Sequence, residues 1–272
     1  MARRPFVVFT DLDGTLLDHA TYSFEPARPA LEALAAARVP VVFCTSKTRA
    51  ETERWRLALE NTHPFIVENG GAVFIPETYF PFEVGFDRKD AGYGIIELGK
   101  PYAELRRVLA VIRSRTGLDL RGFGDMTLDE IAERCGFTPE DAALAAKREY
   151  DEPFMAADPV TLPRAVREAG AEGLRVVSGG RFHHLVGASD KGRAVSALLA
   201  LFTRAQGKVQ SVGVGDSLND EPMLQAVDIP ILVLKPRGGH ADAIHVPGLI
   251  LAPYAGPEGW REAILALLRG AA

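Results

Sequence analysis

Along residues 5–80 the chain alternates short, wholly apolar runs with stretches whose apolar positions recur every three or four residues. Phe6–Thr10 (FVVFT) and Val39–Cys44 (VPVVFC) are apolar, branched and end on or next to polar residues. That pattern predicts strands buried on both faces, as in a parallel sheet. Pro26–Arg38, with Leu31 and Leu34 on one face, and Thr48–Asn61, with Trp55 and Leu59 four apart, predict helices. Phe65–Val67 and Ala72–Ile75 flank Glu68-Asn69-Gly70-Gly71 and read as strand, turn, strand. The C-terminal third repeats the rhythm, with helices over Gly192–Arg204, Glu221–Val227 and Trp260–Leu268 and strands over Val209–Val214 and Ile229–Leu234. Strands alternating with helices imply βαβ units and a parallel sheet.

The middle of the chain keeps a different pattern. Phe82–Phe86 and Gly94–Leu98 read as strands. Tyr102–Arg115 is a helix by the spacing of Leu105, Val108, Leu109 and Ile112, and Thr127–Cys135 is a shorter one. Thr138-Pro139-Glu140-Asp141 is a helix start, with a capping hydroxyl, a proline at the first position and an acidic first turn. Leu174–Val177 and Arg181–Val186 read as a hairpin around Ser178-Gly179-Gly180. The expectation is a doubly wound α/β core from residues 1–80 and 186–272, interrupted by an α+β insert over residues 81–185.

Composition narrows the function. At 272 residues and 47% apolar, the chain suits one core domain with a smaller insert. A net charge of −5 argues against a general nucleic-acid binder. No stretch approaches the roughly 20 apolar residues of a membrane helix, and the apolar run after the first arginines is too short for a signal segment. Cys44 and Cys135 lack the spacing of a disulfide framework or a zinc site. A soluble, cytoplasmic protein is expected.

Four constellations carry candidate chemistry. Asp11-Leu12-Asp13-Gly14-Thr15 leaves a buried strand directly, and open α/β sheets bind ligands at the carboxyl ends of their strands. Two carboxylates two residues apart suit a nucleophile, Asp11, and an acid/base, Asp13, for phosphoryl transfer through an aspartyl phosphate. Thr45-Ser46-Lys47 follows the next strand, where a hydroxyl suits a phosphoryl oxygen and Ser46 and Lys47 face substrate. Asp190-Lys191-Gly192 opens a helix, where Lys191 can neutralise phosphate and Asp11 together. Gly215-Asp216-Ser217-Leu218-Asn219-Asp220 follows a later strand and offers hard oxygens to Mg²⁺. Asp216 is the direct ligand there; Asp220 and Asn219, one turn on, orient it or its waters.

In this order and context the four motifs resemble those of the haloacid dehalogenase superfamily of phosphatases, over about residues 5–80 and 186–272. The resemblance implies a doubly wound sheet, with Asp11 as nucleophile, Asp13 as acid/base, Thr45 on the phosphoryl group and Lys191 balancing charge. It also implies Mg²⁺ held by Asp11, the Asp13 carbonyl and Asp216, with Asp220 in the acidic set, and a type-2 α/β cap formed by the insert. Cys44–Glu51 (CTSKTRAE) departs from the common ATGR of that subfamily. Together with Glu68–Gly71 (ENGG), Arg148–Phe154 (REYDEPF) and Gly180–His184 (GRFHH) it resembles the mannosyl-3-phosphoglycerate phosphatases.

That narrower resemblance implies a small substrate carrying phosphate, carboxylate and hexose. Arg148 and Arg181 are then candidates for the carboxylate, Asp151 and Glu152 for sugar hydroxyls, His183 for either, and Glu68 and Asn69 for sugar or glycerate. Strand alternation points His184 the opposite way from His183, which makes His184 the structural one. The alternatives are a phosphomannomutase-like transfer, a broad sugar-phosphate phosphatase, and a non-catalytic phospholigand-binding module.

Overall fold

The computed structural model describes residues 5–157, 161–179, 182–241 and 243–270. The chain begins with β1 (Phe6–Thr10), α1 (Arg28–Ala36), β2 (Val41–Cys44), α2 (Arg49–Ala58), β3 (Phe65–Val67) and β4 (Ala72–Pro76). It continues through β5 (Arg88–Asp90), β6 (Tyr93–Glu97), α3 (Tyr102–Thr116), β7 (Leu120–Gly122), α4 (Leu128–Cys135) and α5 (Pro139–Ala145). Next come β8 (Asp151–Ala156), α6 (Thr161–Ala171), β9 (Arg175–Gly179) and β10 (Phe182–Val186). The C-terminal part holds α7 (Lys191–Gln206), β11 (Gln210–Gly215), α8 (Glu221–Gln225), β12 (Ile229–Leu234), β13 (Ile250–Ala255) and α9 (Gly256–Arg269).

A nine-stranded sheet runs in the order β13-β12-β11-β1-β2-β3-β4-β6-β5. From β13 through β3 neighbouring strands are parallel, and β4, β6 and β5 follow as an antiparallel meander. Alternation along β1 divides the core between the two faces. Val8 packs with Leu34, Phe43, Phe65, Trp260 and Ile264 on the α1/α9 side. Val7 and Phe9 pack with Val42, Val195, Leu198, Phe202 and Leu224 on the α7/α8 side. Both faces are therefore covered, which is why these strands read as continuous apolar runs. β1 sits between β11 and β2, where the strand order reverses, and such a point opens a crevice at the strands' carboxyl ends.

A second sheet, β7-β8-β10-β9, is antiparallel. One face buries Leu120, Phe154 and Leu185 against Leu105, Leu109, Ala165 and Ala169 of α3 and α6. The other face looks back at the large sheet. Thr127 and Thr138 cap α4 and α5 as their side chains predict, each accepting a backbone N–H three residues on.

Two expected strands behave differently from the sequence reading. Phe82–Phe86 is irregular, and the strand near it is β5. Both β5 and β6 extend the large sheet through β4, so the four-stranded layer starts only after α3. The sequence reading also left out β7 and β13, because three-residue strands and edge strands with exposed positions carry little periodicity, and α6, whose inward positions Thr161, Ala165 and Ala169 are small rather than strongly apolar.

Candidate active site

Residues from β1, β2 and β11 meet at the carboxyl edge of the parallel sheet. Asp11 and Asp13 leave β1, Thr45 to Lys47 leave β2, and Asp216 leaves β11. Gly14 has φ +77°, a conformation side chains rarely adopt, and a Cβ there would lie 3.1 Å from Asp216 Oδ2. The glycine lets the first loop close onto the fourth.

Lys191 enters this cluster from the first turn of α7, whose start is capped by Asp190 accepting from Arg193 N–H. Its Nζ is fully buried, 2.7 Å from Asp11 Oδ1 and 2.6 Å from Asp220 Oδ1. Burial alone would push Lys191 down, but Asp11 and Asp220 reverse this and hold it charged. Asp11 is itself pushed well above the usual carboxylate range by burial, against the pull of Lys191, with Asp220, Asp216 and Asp13 adding to the rise. Asp216 is raised to about 7, by burial and then by Asp220.

The chemistry of the donor set suits a hard divalent cation. Carboxylate oxygens of Asp11, Asp216 and Asp220 lie within 4.8 Å of one another. Asp13 Oδ1 is buried with no hydrogen-bond partner among the described residues. One buried lysine, Lys191, is thus shared by Asp11 and Asp220, and the raised affinity of Asp11 and Asp216 for protons is the mark of missing positive charge.

Asp220 differs from the other two. Its Oδ1 is on Lys191, and its Oδ2 accepts from the N–H groups of Asp216 (3.0 Å) and Ser217 (3.1 Å). Both oxygens are engaged in shaping the loop, which fits the orienting role toward Asp216 expected of it better than direct ligation. Lys47 is also committed. Its Nζ lies 2.8 Å from Asp13 Oδ2 and 3.7 Å from Glu51, and these carboxylates raise its pKa against the effect of burial. Lys47 thus holds Asp13 from a position on the wall of the site cavity. Thr45 is fully buried, and its hydroxyl accepts from Lys47 N–H at 3.1 Å.

A cavity of about 620 Å³ separates this edge from the four-stranded layer. Asp11, Asp13, Ser46, Lys47, Asp216 and Ser217 line its core wall. Phe123, Phe137, Arg148, Pro153, Phe182 and His184 line the opposite wall. Lys235 and Arg237, on the loop after β12, reach it from the side and are exposed.

Most of the residues expected to read substrate hold the two layers together instead. Glu68 and Asn69 lie in the left-handed region, at φ 48° and 56°, a strained state that needs surrounding contacts to persist. Their N–H groups donate to Lys47 and Thr45 carbonyls. Glu68 is fully buried and accepts from the backbone N–H groups of Glu149 and Tyr150 at 2.8–3.1 Å. Asn69 donates to Asp151 Oδ2 at 2.8 Å and accepts from Asn219 at 3.2 Å. Arg148 lines the cavity, but its Nη1 and Nε donate to the carbonyls of Ser46 and Ala145. These bonds correct Glu68 and Asn69, which do not line the cavity, from substrate readers to ties between the layers, while Arg148 both ties the layers and lines the cavity.

The phase of the insert's strands also corrects the reading of Asp151, Glu152, His183 and His184. Opposed residues of an antiparallel pair share a face. Pro153 pairs with His184 and both line the cavity, while Phe154 pairs with His183 on the face covered by helices. Sequence reasoning had the alternation right and its phase inverted. His183 bonds Ser178 and packs on the Phe154 ring. Glu152 shares that covered face, where it accepts from Gly124 N–H and burial raises it to about 7. Asp151 is on the cavity side but fully buried, with both oxygens engaged by His184 and Asn69. Arg181 lies outside the described residues. The aromatic residues, His184 and the Lys235–Arg237 loop were missed by sequence reasoning. The positive pair after an apolar run, which the strand-end rule would have flagged, was the available signal for that loop.

Among the described residues no helix is long and apolar enough to cross a membrane. A sequence profile for haloacid dehalogenase-like hydrolases matches residues 8–98. A glucosyl-3-phosphoglycerate/mannosyl-3-phosphoglycerate phosphatase of Methanococcoides burtonii is 44% identical over 263 residues, 96% of this chain and 97% of its own length. A mannosyl-3-phosphoglycerate phosphatase of Pyrococcus horikoshii is 39% identical over 84% of this chain and 90% of its own. Among solved structures, a Thermoplasma acidophilum protein matches with a TM-score of 0.70 at 17% identity, covering 98% of this chain and 99% of that one. The sucrose-phosphatase of Synechocystis sp. matches at 0.64 and 14%, covering 97% and 98%. These two show likeness of fold alone.

Proposed function

The chain belongs to the haloacid dehalogenase-like phosphatases, and from that premise we propose that it hydrolyses mannosyl-3-phosphoglycerate, and glucosyl-3-phosphoglycerate as well, to the glycosylglycerate and inorganic phosphate. The observation that carries the reading is the convergence of Asp11, Asp13, Asp216 and Lys191 at one end of a cavity large enough for a sugar phosphate. The names of relatives that align over nearly the whole chain supply the substrate.

In this reading Lys191 holds Asp11 Oδ1 and leaves Oδ2 to attack phosphorus. A bond forms from Asp11 to phosphorus as the bond to the glycerate oxygen breaks, and Asp13 gives its proton to that oxygen. Asp13 then takes a proton from water, whose oxygen displaces the Asp11 carboxylate and releases phosphate. Lys47 fixes the Asp13 carboxyl through Oδ2, and Ser46, on the cavity wall in front of the buried Thr45, faces the phosphoryl oxygens. Asp11, Asp216 and the Asp13 carbonyl would hold Mg²⁺, which when bound neutralises the crowded carboxylates and the phosphoryl charge. Lys235 and Arg237 bring positive charge to the glycerate carboxylate from the side of the cavity. The four-stranded layer acts as the cap, closing the site to water.

The test is phosphate release from mannosyl-3-phosphoglycerate, glucosyl-3-phosphoglycerate and mannose-6-phosphate, with and without Mg²⁺. The two glycosyl phosphoglycerates should rank first by kcat/KM, with turnover dependent on the metal. A flat ranking would reject the substrate assignment.

A further inference from the structure

We propose that His184, held by Asp151, is the residue of the cap wall that recognises the sugar, through a hydrogen bond that its Nε2 accepts from a hydroxyl group. The inference rests on the sugar-phosphate reading above and adds to it a specificity-determining residue.

The placement of the ring follows from three contacts. His184 is 8% exposed and lines the cavity opposite the acidic cluster. Its Nδ1 lies 2.9 Å from each oxygen of Asp151. Asp151 in turn accepts from Asn69 Nδ2 at 2.8 Å. Burial works against an ionised Asp151, but His184, Arg148 and Asn69 overcome it and hold the carboxyl below its usual range. An ionised carboxylate is an acceptor alone, so Nδ1 carries the hydrogen and Nε2 is the ring atom left for a ligand.

The surroundings favour a neutral, hydroxyl-bearing group over a charged one. Phe182 and Pro153 flank the histidine on the same face, and Phe123 meets Phe182 edge to face at 4.9 Å. Arg148, the guanidinium on this wall, is tied to the Ser46 and Ala145 carbonyls. An apolar wall with one oriented polar atom is the usual form of a site that reads an uncharged ligand.

Asn69 also accepts from Asn219, and Asn219 accepts from the Ser217 hydroxyl at 2.7 Å. The histidine is thus positioned through Asp151 and Asn69 by the loop that carries Asp216.

The experiment compares wild type with H184A, H184N and H184Q on the sugar phosphate the wild type prefers and on p-nitrophenyl phosphate, which has no sugar. H184A should raise KM for the sugar phosphate about five- to thirtyfold, the loss of about one to two kcal/mol of hydrogen bonding. Its kcat should change little, and its kcat/KM on p-nitrophenyl phosphate should stay within about twofold, the signature of lost binding rather than lost chemistry. Gln places an amide where Nε2 stood, so H184Q should recover much of the affinity. Asn can keep the contact to Asp151, so H184N should fold like wild type and still bind poorly. Equal losses on both substrates, or a wild-type KM in H184N, would overturn the proposal. Should mannosyl-3-phosphoglycerate rank low, the substrate assignment falls while the histidine is still judged on whichever sugar phosphate ranks first. A wild type that prefers p-nitrophenyl phosphate to every sugar phosphate would overturn both.

Discussion

Across the cavity, Asp11, Asp13 and Asp216 stand on loops that leave parallel strands, whereas Pro153, Phe182 and His184 stand on antiparallel strands. On the core side, charge is dense and buried, and each group is fixed by a neighbour: Asp11 by Lys191 and Asp13 by Lys47 from other elements, and Asp216 by Asp220 of its own loop. On the cap side, aromatic surface dominates and the polar contacts mostly join cap to core. The difference teaches where chemistry and recognition separate. A buried network of opposed charges is costly to change anywhere, because removing one member leaves another uncompensated. A face of an antiparallel sheet can exchange alternate side chains without moving its backbone ladder, so the cap can set substrate preference while the core keeps its reaction.

The sharpest way to break this division is Asp11→Asn. Turnover on every phosphomonoester should fall by about four orders of magnitude or more, while circular dichroism stays that of the wild type, since Lys191 keeps Asp220 as a charged partner. Undiminished turnover would remove the nucleophile from the core side and with it the comparison.

A smaller effect is expected from pH acting on the metal. Burial and Asp220 push Asp216 up to about 7, so below that pH a cation must displace a proton from it. Apparent Mg²⁺ affinity should weaken by about tenfold for each pH unit below 7. Mg²⁺ activation curves across that range measure this directly. A constant half-saturation would separate Asp216 from the metal.

The least disruptive change sharpens the contrast between the two faces of the cap. Glu152→Gln, on the helix-covered face, should leave KM and kcat for the sugar phosphate unaltered. Its effect is on stability. Burial raises Glu152 from 4.5 to about 7. Below 4.5 the carboxyl is neutral folded and unfolded alike, and its full contribution is present. As pH climbs from there through about 7 the unfolded chain sheds the proton first, so the folded state loses that contribution. Wild-type Tm should therefore decline across this window and the variant should decline less. A raised KM in Glu152→Gln would instead place that face in contact with substrate.

The lesson for reading sequence is uneven across the molecule. In the core, a buried strand can end only at the sheet's edge, so Asp11, Asp216 and the residues after Cys44 were located by the apolar runs that precede them. Lys191 was legible because Asp190 caps the helix it opens. In the insert, the same alternation rule that separates His183 from His184 gives no sign of which faces inward, since both sides of that sheet are covered, one by α3 and α6 and the other by the core. Glu68, Asn69 and Arg148 carried chemistry-bearing side chains in suggestive places, yet each meets groups about 80 or more residues away: the Glu149 and Tyr150 N–H groups, the Asp151 and Asn219 side chains, and the Ser46 carbonyl.

By itself, then, the order of apolar runs, capping residues and acidic motifs determined the α/β core, the interruption in it and the acidic residue proposed as nucleophile, because each of these is set within a few residues of chain. Which insert residues meet the cavity, and which carboxylates are free to hold a cation, depends on the pairing of β8 with β10 and on how Asp220 and Lys47 are used up by distant partners. Those are facts of three-dimensional neighbourhood. A carboxylate's role follows from what satisfies its oxygens, and only the folded chain decides that.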